Sequence, residues 1–201
     1  MWHKFNEVSY AKVVWRLGLS FLCSIAPFAY MQDSVWSYLL KPFKWSSTSV
    51  QYDTHTFSGT WNQVASDSKQ PWNNVSPSPF TFSQNNSSAN DVYLAYIDGV
   101  GGTQAFTGYV CSPSCVAGAS IIRATIRFDS GESWYTDSAC VVPSTSFDSR
   151  SIGTHEFGHA AGLGHSSASG NPTMYAYSSL GTCHLRSLET DDQNGLNAQY
   201  P

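Results

Sequence analysis

The chain has 201 residues, enough for one domain with a sizeable hydrophobic core. Hydrophobic residues make up 41% of it and charged residues 12%, a composition that argues against a disordered chain. The formal net charge is −4 and the 10 basic residues form no stripe, so no nucleic-acid partner is expected. No segment is long and apolar enough for an ordinary transmembrane helix, so no stable membrane span is expected either.

The N-terminal segment differs in character from the rest of the chain. Three basic residues precede an apolar run from Leu17 to Met31: Lys4, Lys12 and Arg16. A charged region followed by an apolar region is typical of a secretory signal. We therefore predict that residues 1–31 are a signal peptide and that the protein is secreted. An N-terminal helix packed on the domain and an uncleaved membrane anchor are the alternatives.

The cysteines agree with export. Of the five cysteines, Cys23 lies in the predicted signal, which leaves four: Cys111, Cys115, Cys140 and Cys183. Four cysteines allow three pairings, and the sequence alone cannot choose between them. We predict a Cys111–Cys115 disulfide across the short S-P-S loop and a Cys140–Cys183 disulfide over a long loop. The alternative is four free thiols in a cytosolic protein; without a C-x-x-C pair, a cysteine metal site is not expected.

Strands and helices are mixed along the rest of the chain. Residues 32–47 are predicted to be a connector, and residues 48–201 a single domain. Apolar residues at helical spacing predict a helix in the first half of the stretch from Thr56 to Val75, and Pro71 is expected to end or interrupt it. Four runs have the composition and bounds of strands: Ser49–Tyr52, Asp91–Ile97, Ala105–Val110 and Ser120–Phe128.

Two further helices are predicted after Pro143. The central helix runs from Phe147 to Ala161, and Gly162 is placed to end it in the left-handed conformation. Candidate N-caps precede this helix (Ser144, Thr145, Ser146), and its expected buried residues are Phe147, Ile152, Phe157, Ala160 and Ala161. The last helix is predicted from about Leu188 to Tyr200, with Ser187 as its N-cap.

The segment from His155 to His165 reads H-E-F-G-H-A-A-G-L-G-H. His155 and His159 are four residues apart, so they share one face of the predicted helix and can point two imidazoles at one ion. Gly162 ends the helix, so the chain can fold back and present His165 as a third ligand. Three protein ligands leave the fourth position of a zinc ion open, which is characteristic of catalytic zinc. The spacing therefore predicts one catalytic Zn²⁺; the alternative is a helix with surface histidines.

Glu156 follows the first predicted ligand and is offset around the helix, beside the metal rather than on it. Zinc lowers the pKa of a bound water toward about 7 and polarises a scissile carbonyl. Glu156 can then act as general base, taking the water's proton and passing it to the leaving amine. The motif thus predicts hydrolysis by metal-activated water with no covalent intermediate.

A methionine nine residues after His165 completes a known pattern. The motif H-E-x-x-H-x-x-G-x-x-H followed by Met174, in N-P-T-M-Y, resembles the metzincin signature. Within the metzincins the chain is most similar to the matrixins, the matrix-metalloproteinase family, in Ser166 directly after the third histidine. The runs L-E-T-D-D-Q-N-G-L-N-A-Q-Y and R-F-D-S-G-E-S-W also resemble matrixin segments, and the resemblance extends from about Lys44 to Tyr200.

The resemblance implies an α/β (α+β) catalytic domain at residues 48–201. Its sheet would be five-stranded, twisted and mostly parallel, with one antiparallel edge strand and three helices packed against it. Met174 would form a hydrophobic floor beneath the metal. A substrate would pair as an extended strand near Ala105–Val110, and its pocket would be walled by the central helix and the segment from Met174 to Tyr177.

The resemblance also bears on other metals. Asp129 and Glu132 correspond to matrixin residues that bind a structural calcium, so Ca²⁺ is possible there; ordinary turn chemistry is the alternative. The matrixins place a histidine of a second, structural zinc where this chain has Arg127, so no second zinc is expected. The proline that usually follows the M-Y of the methionine turn is replaced by Ala176.

The resulting prediction is a secreted, monomeric zinc endopeptidase that acts on extracellular proteins or peptides. A metallohydrolase that performs one narrow processing event is a second possibility. A non-catalytic binding module that keeps zinc for stability is a third, although Glu156, the predicted general base, is intact.

Overall fold

The computed structural model describes residues 37–168 and 171–201, and the backbone of residues 2–4. The predicted signal or anchor, with Cys23, otherwise lies outside the described residues. Trp2–Lys4 forms β1, which pairs antiparallel with β10, Tyr177–Ser179. Among the described helices, none has the length and apolarity needed to cross a membrane.

A twisted sheet is the scaffold of the domain. Its strands are β2 (Lys44–Trp45), β3 (Ser49–Tyr52), β4 (Thr81–Gln84), β5 (Val92–Ala95), β6 (Ala105–Ser112) and β7 (Ser120–Asp129). β3 pairs parallel with β4, and β5 with β7, while β6 runs antiparallel to β7. A parallel bridge between Asp53 and Asp91 joins the two halves. Across that bridge, five strands lie in the order β4-β3-β5-β7-β6, with β6 as the predicted antiparallel edge strand, and the two-residue β2 is a sixth strand that pairs with the start of β7.

The remaining elements lie outside this sheet. They are α1 (Thr60–Asn73), β8 (Trp134–Tyr135), β9 (Phe147–Asp148), α2 (Ser149–Ala160), a 3₁₀ helix at His184–Arg186 and α3 (Thr190–Gln199). The three α-helices of the described residues agree with the expected number. β2 pairs parallel with the start of β7, so the chain already joins the sheet inside the segment predicted as a connector.

The core lies between the sheet and α2. The ring of Phe157 meets Tyr52 and Phe82 edge to face, with centroids 5.2 and 5.0 Å apart, so α2 packs directly on β3 and β4. Every residue of α2 is buried, including the polar ones. The buried residues predicted for the central helix are all confirmed: Phe147, Ile152, Phe157, Ala160 and Ala161.

Pro71 neither ends nor interrupts the first helix, contrary to the prediction. It lies inside the last turn of α1, which continues to Asn73. Trp72 holds this turn in place, because its fully buried ring donates from Nε1 to the carbonyl of Thr154 at 2.7 Å. Tertiary packing on α2 therefore offsets the missing proline N–H.

Both later helices begin at residues other than those predicted. Asp148 caps α2 by accepting a hydrogen bond from the Ser151 N–H at 2.9 Å, because β9 occupies the residues just before the helix. Glu189, rather than Ser187, caps α3, and it forms a reciprocal capping box with Asp192.

The predicted cysteine pairing is confirmed. Cys111 and Cys115 are joined at the end of β6, and Cys140 and Cys183 are joined across a separation of 43 residues. The second bridge ties the loop before β9 to the start of the 3₁₀ helix.

Candidate metal centre

The three predicted histidines meet at one buried point. His155 and His159 extend from one face of α2, and ring nitrogens of all three lie within 4.8 Å of one another. Gly162 has φ 91°, the left-handed conformation that ends the helix and turns the chain back to His165. Nε2 of His159 and Nε2 of His165 are 3.2 Å apart. Two nitrogens on one tetrahedral zinc, each about 2.0–2.1 Å from the ion, would lie about 3.3 Å apart, so the spacing fits zinc.

Backbone carbonyls set the tautomers of the two helical histidines. Nδ1 of His155 lies 2.6 Å from the Thr173 carbonyl, and Nδ1 of His159 lies 2.8 Å from the Leu163 carbonyl. A carbonyl oxygen can only accept, so each Nδ1 carries the proton and each Nε2 offers a lone pair. This is the arrangement that orients imidazole ligands in metal sites.

The Glu156 carboxylate has two different environments. Its Oε2 accepts a hydrogen bond of 2.6 Å from the Thr107 hydroxyl on β6. Its Oε1 is buried and has no hydrogen-bond partner among the described residues. Leaving a buried carboxylate oxygen without a hydrogen-bond donor destabilises the fold. A water molecule bound at the metal site would donate the missing hydrogen bond.

Burial shifts the pKa values of Glu156 and His159 in opposite directions. Desolvation raises the pKa of Glu156 to about 7, opposed by the Thr107 hydrogen bond and the positive charge of Lys41. Desolvation lowers the pKa of His159 well below its usual value, and the His165 and Lys41 charges add to this effect. Glu156 is thus suited to exchange a proton near neutral pH, and His159 is neutral, the form that binds metal.

Met174, expected as the hydrophobic floor of the site, is buried against the helix that carries His155 and His159. Its buried side chain packs on α2 at Gly158, where a Cβ would come within 2.3 Å of its Sδ. Asp192 fixes the turn: its carboxylate accepts the N–H groups of Thr173 at 2.8 Å and Met174 at 2.9 Å. Because the Thr173 carbonyl in turn accepts a hydrogen bond from His155, one buried acid at the start of α3 supports both Met174 and a candidate metal ligand.

The two carboxylates proposed for calcium lie at the end of β7 and in the turn after it. Asp129 accepts four backbone N–H groups, from Ile97, Asp98, Gly99 and Gly131. Glu132 accepts the N–H of Gly101 at 2.8 Å. Calcium needs six to eight oxygens, whereas these oxygens face amide donors, and a calcium site here stays a prediction. Arg127 donates to the Tyr93 hydroxyl and lies over the Phe106 ring.

A second group of possible ligands lies at the bridge between β3 and β5. Asp53, His55 and Asp91 have side-chain ligand atoms within 4.8 Å of one another. Nδ1 of His55 is 2.5 Å from Oδ2 of Asp53, which is a direct hydrogen bond with no space for an ion between the two atoms. This hydrogen bond compensates the cost of burying the Asp53 carboxylate, so no metal is needed to explain the group.

The sequence did not single out Thr107 or Asp192 as parts of the site. Asp192 was recognisable as half of an acidic pair that complements the start of α3, but its contact with the methionine turn is a tertiary one. Thr107 carries no local signal, because its partner Glu156 is 49 residues away.

Comparison with known families agrees with the geometry. A family model described as Matrixin matches residues 44–201, well over half of the chain. The match begins at β2 and includes the three histidines, Glu156 and Met174. No curated protein matches the sequence.

Proposed function

Because the chain belongs to the matrixin family of metallopeptidases, we propose that it is a zinc-dependent endopeptidase that hydrolyses peptide bonds of extracellular proteins. The observation that carries the proposal is that ring nitrogens of His155, His159 and His165 lie close together and buried, with the buried Glu156 on the same helix as two of them. The donor set, the neutral tautomers and the 3.2 Å nitrogen spacing fit zinc.

The roles of the residues follow from their positions. The histidines would hold a zinc ion, which supplies Lewis acidity toward a water molecule and a scissile carbonyl when bound. Glu156 takes the proton of the attacking water at Oε1 and delivers it to the leaving nitrogen. Met174 forms the hydrophobic floor of the site, and Asp192 fixes the turn whose Thr173 carbonyl orients His155. The imidazoles therefore stay in place while the proton moves.

The edge strand offers a place for the substrate. Among the described strands β6 pairs only with β7, which leaves its other edge available to an extended peptide. Thr107 places the middle of β6 next to Glu156. A peptide paired with β6 would therefore pass the general base, and its backbone would be held by hydrogen bonds that do not depend on side-chain identity.

Other features support action outside the cell. The two disulfides persist in an oxidising compartment. The charged and apolar N-terminal pattern indicates a secretory signal. The protein would act on protein substrates as a monomer.

The test is hydrolysis of labelled casein by the zinc-loaded full chain, Glu156→Ala, His159→Ala and His184→Ala. The wild type and His184→Ala, whose histidine is exposed in the 3₁₀ helix, should cleave casein and bind one zinc. Glu156→Ala should keep the zinc but lose at least about a hundredfold in rate, because it lacks the general base. His159→Ala should lose zinc and activity together, and a chelator should abolish cleavage by the wild type.

Two outcomes would contradict this proposal. Cleavage unchanged by Glu156→Ala would refute the mechanism. Zinc binding without cleavage of casein or of a panel of unrelated peptides would favour a narrow processing enzyme or a binding module that keeps zinc for stability.

A further inference from the structure

Thr107 connects the edge strand to the proposed general base. Its hydroxyl lies 2.6 Å from Oε2 of Glu156 and 3.1 Å from the backbone carbonyl of the same residue. On β7 its partner is Ile126, which is buried, so Thr107 faces α2 from the inner side of the sheet. The hydroxyl therefore contacts both the carboxylate and the backbone of Glu156 on the side of the sheet that α2 covers.

This contact makes the two oxygens of Glu156 unequal. A terminal carboxylate torsion has broad, nearly two-fold preferences, so an unrestrained glutamate would present either oxygen in many orientations. A short charge-assisted hydrogen bond to Oε2 restricts this rotation. Oε1, which is buried and without a hydrogen-bond partner among the described residues, is left as the oxygen that can accept a proton.

The donor is itself held rigidly. Threonine is β-branched, so its χ1 is restricted on a strand. Its hydroxyl is placed by β6, which pairs with β7 from Ala105 to Ser112. The position of Oε2 is thus tied to the edge strand along which a substrate would lie.

We propose that Thr107 is a positioning residue for peptide hydrolysis: its hydroxyl holds Oε2 of Glu156 so that Oε1 faces the attacking water. This inference rests on the proposed peptidase function. It adds a residue outside the zinc-binding motif, on the strand that receives the substrate, and it links the placement of substrate and base.

The activity test compares Thr107→Val, Thr107→Ser and Thr125→Val with the wild type, all as zinc-loaded full chains acting on labelled casein. Valine removes the hydroxyl and keeps the shape. Thr107→Val should lower kcat roughly ten- to a hundredfold with little change in KM, because misplaced catalytic groups cost rates of this order. Thr107→Ser should recover most of the rate. Thr125→Val is the matched control, because Thr125 precedes Ile126 and faces the other side of the sheet.

A double variant separates positioning from a merely structural role. If Thr107 acts through Glu156, adding Thr107→Val to Glu156→Ala should cause no further loss of rate. An equal loss in both backgrounds would overturn the proposal, as would a Thr107→Val enzyme with kcat within about twofold of the wild type.

A second readout does not depend on activity. Crystal structures of the zinc-loaded wild type and Thr107→Val should show Glu156 ordered in the wild type, and rotated or disordered in the variant, with zinc bound in both. An identical, ordered Glu156 in both structures would overturn the proposal. If the wild type cleaves no substrate, the proposed function fails, and these structures still decide whether Thr107 sets the orientation of Glu156.

Discussion

Gly158 shows how one missing side chain shapes the site. It lies on α2 next to His159, and a Cβ there would come within 2.3 Å of Met174 Sδ and 2.5 Å of Trp72 Cζ2. The helix at this point therefore needs glycine for space and not for an unusual φ. Both close neighbours are fully buried, so neither can move aside easily.

Gly158→Ala should lower the free energy of unfolding by about 1–3 kcal/mol, the usual cost of overpacking a core. It should also weaken zinc binding, because the methyl group would push Met174 away from the helix that carries His155 and His159. Urea unfolding and competition with a zinc chelator measure the two effects. Gly108→Ala is the control, since its Cβ would meet only two side-chain atoms, the Thr125 hydroxyl at 3.3 Å and Phe106 Cε2 at 3.7 Å. Equal unfolding curves for the two variants would contradict this account.

The candidate metal-site residues could be predicted because their geometry is local. His155, Glu156 and His159 lie on one helix, so sequence spacing fixes their relative directions. The supporting residues could not be predicted, because Thr107 and Asp192 reach the site from β6 and α3. Such contacts depend on how whole elements pack.

Among the elements, the end of β7 is held by one carboxylate. Asp129 is fully buried and accepts N–H groups from the loop after β5 and from its own turn. Burial alone would raise the pKa of Asp129, but these four hydrogen bonds outweigh it and lower the pKa below 3.8. The carboxylate form therefore stabilises the fold by tying β5 to β7.

The lowered pKa predicts how stability depends on pH. Asp129 contributes fully above the unfolded-state value of 3.8, and its contribution is lost as the pH falls through the lower folded-state pKa. Asp129→Asn should therefore be less stable than the wild type at pH 7 by about 2–3 kcal/mol, since it loses charged hydrogen bonds. The difference should shrink below about pH 4. Urea unfolding across this range is the measurement, and a difference independent of pH would contradict the assignment.

The helix starts show which elements the sequence could predict. Strand β3 has the predicted bounds, because its exposed and buried residues alternate along four consecutive positions. The start of α2 differs from the prediction, because Phe147–Asp148 forms a strand paired with β8. The helix therefore begins at Ser149, too far along the chain for the three hydroxyl residues 144–146 to cap it. A two-residue strand depends entirely on its partner, and it leaves no periodic pattern of its own.

At the scale of the whole molecule, the disulfides differ in what they constrain. The Cys140–Cys183 bridge closes a separation of 43 residues, and the Cys111–Cys115 bridge a separation of 4. Loop-closure entropy gives about 4 kcal/mol for the long loop and about 2 kcal/mol for the short one.

Replacing both cysteines of the long bridge with serine should therefore lower stability about twice as much as the same change in the short bridge. Urea unfolding of the two double variants, beside the oxidised wild type, is the measurement. Equal losses would show that the long loop is already restricted in the unfolded chain.

The architecture could be predicted through its family resemblance, which implied the strand number and the antiparallel edge. The sequence alone did not place Lys44–Trp45 in the sheet or join β3 to β5 through a bridge at Asp53 and Asp91. Both features are pairings between distant segments, and neither has a periodic signature of its own.

The dependence of the methionine turn on Asp192 has a consequence for the order of events during synthesis. His155, Glu156 and His159 leave the ribosome well before Asp192, yet Thr173 and Met174 are fixed only when the Asp192 carboxylate reaches their N–H groups. A nascent chain carries the whole zinc-binding motif while its floor is still unformed. The proposed protease would thus complete its site only after α3 has been made.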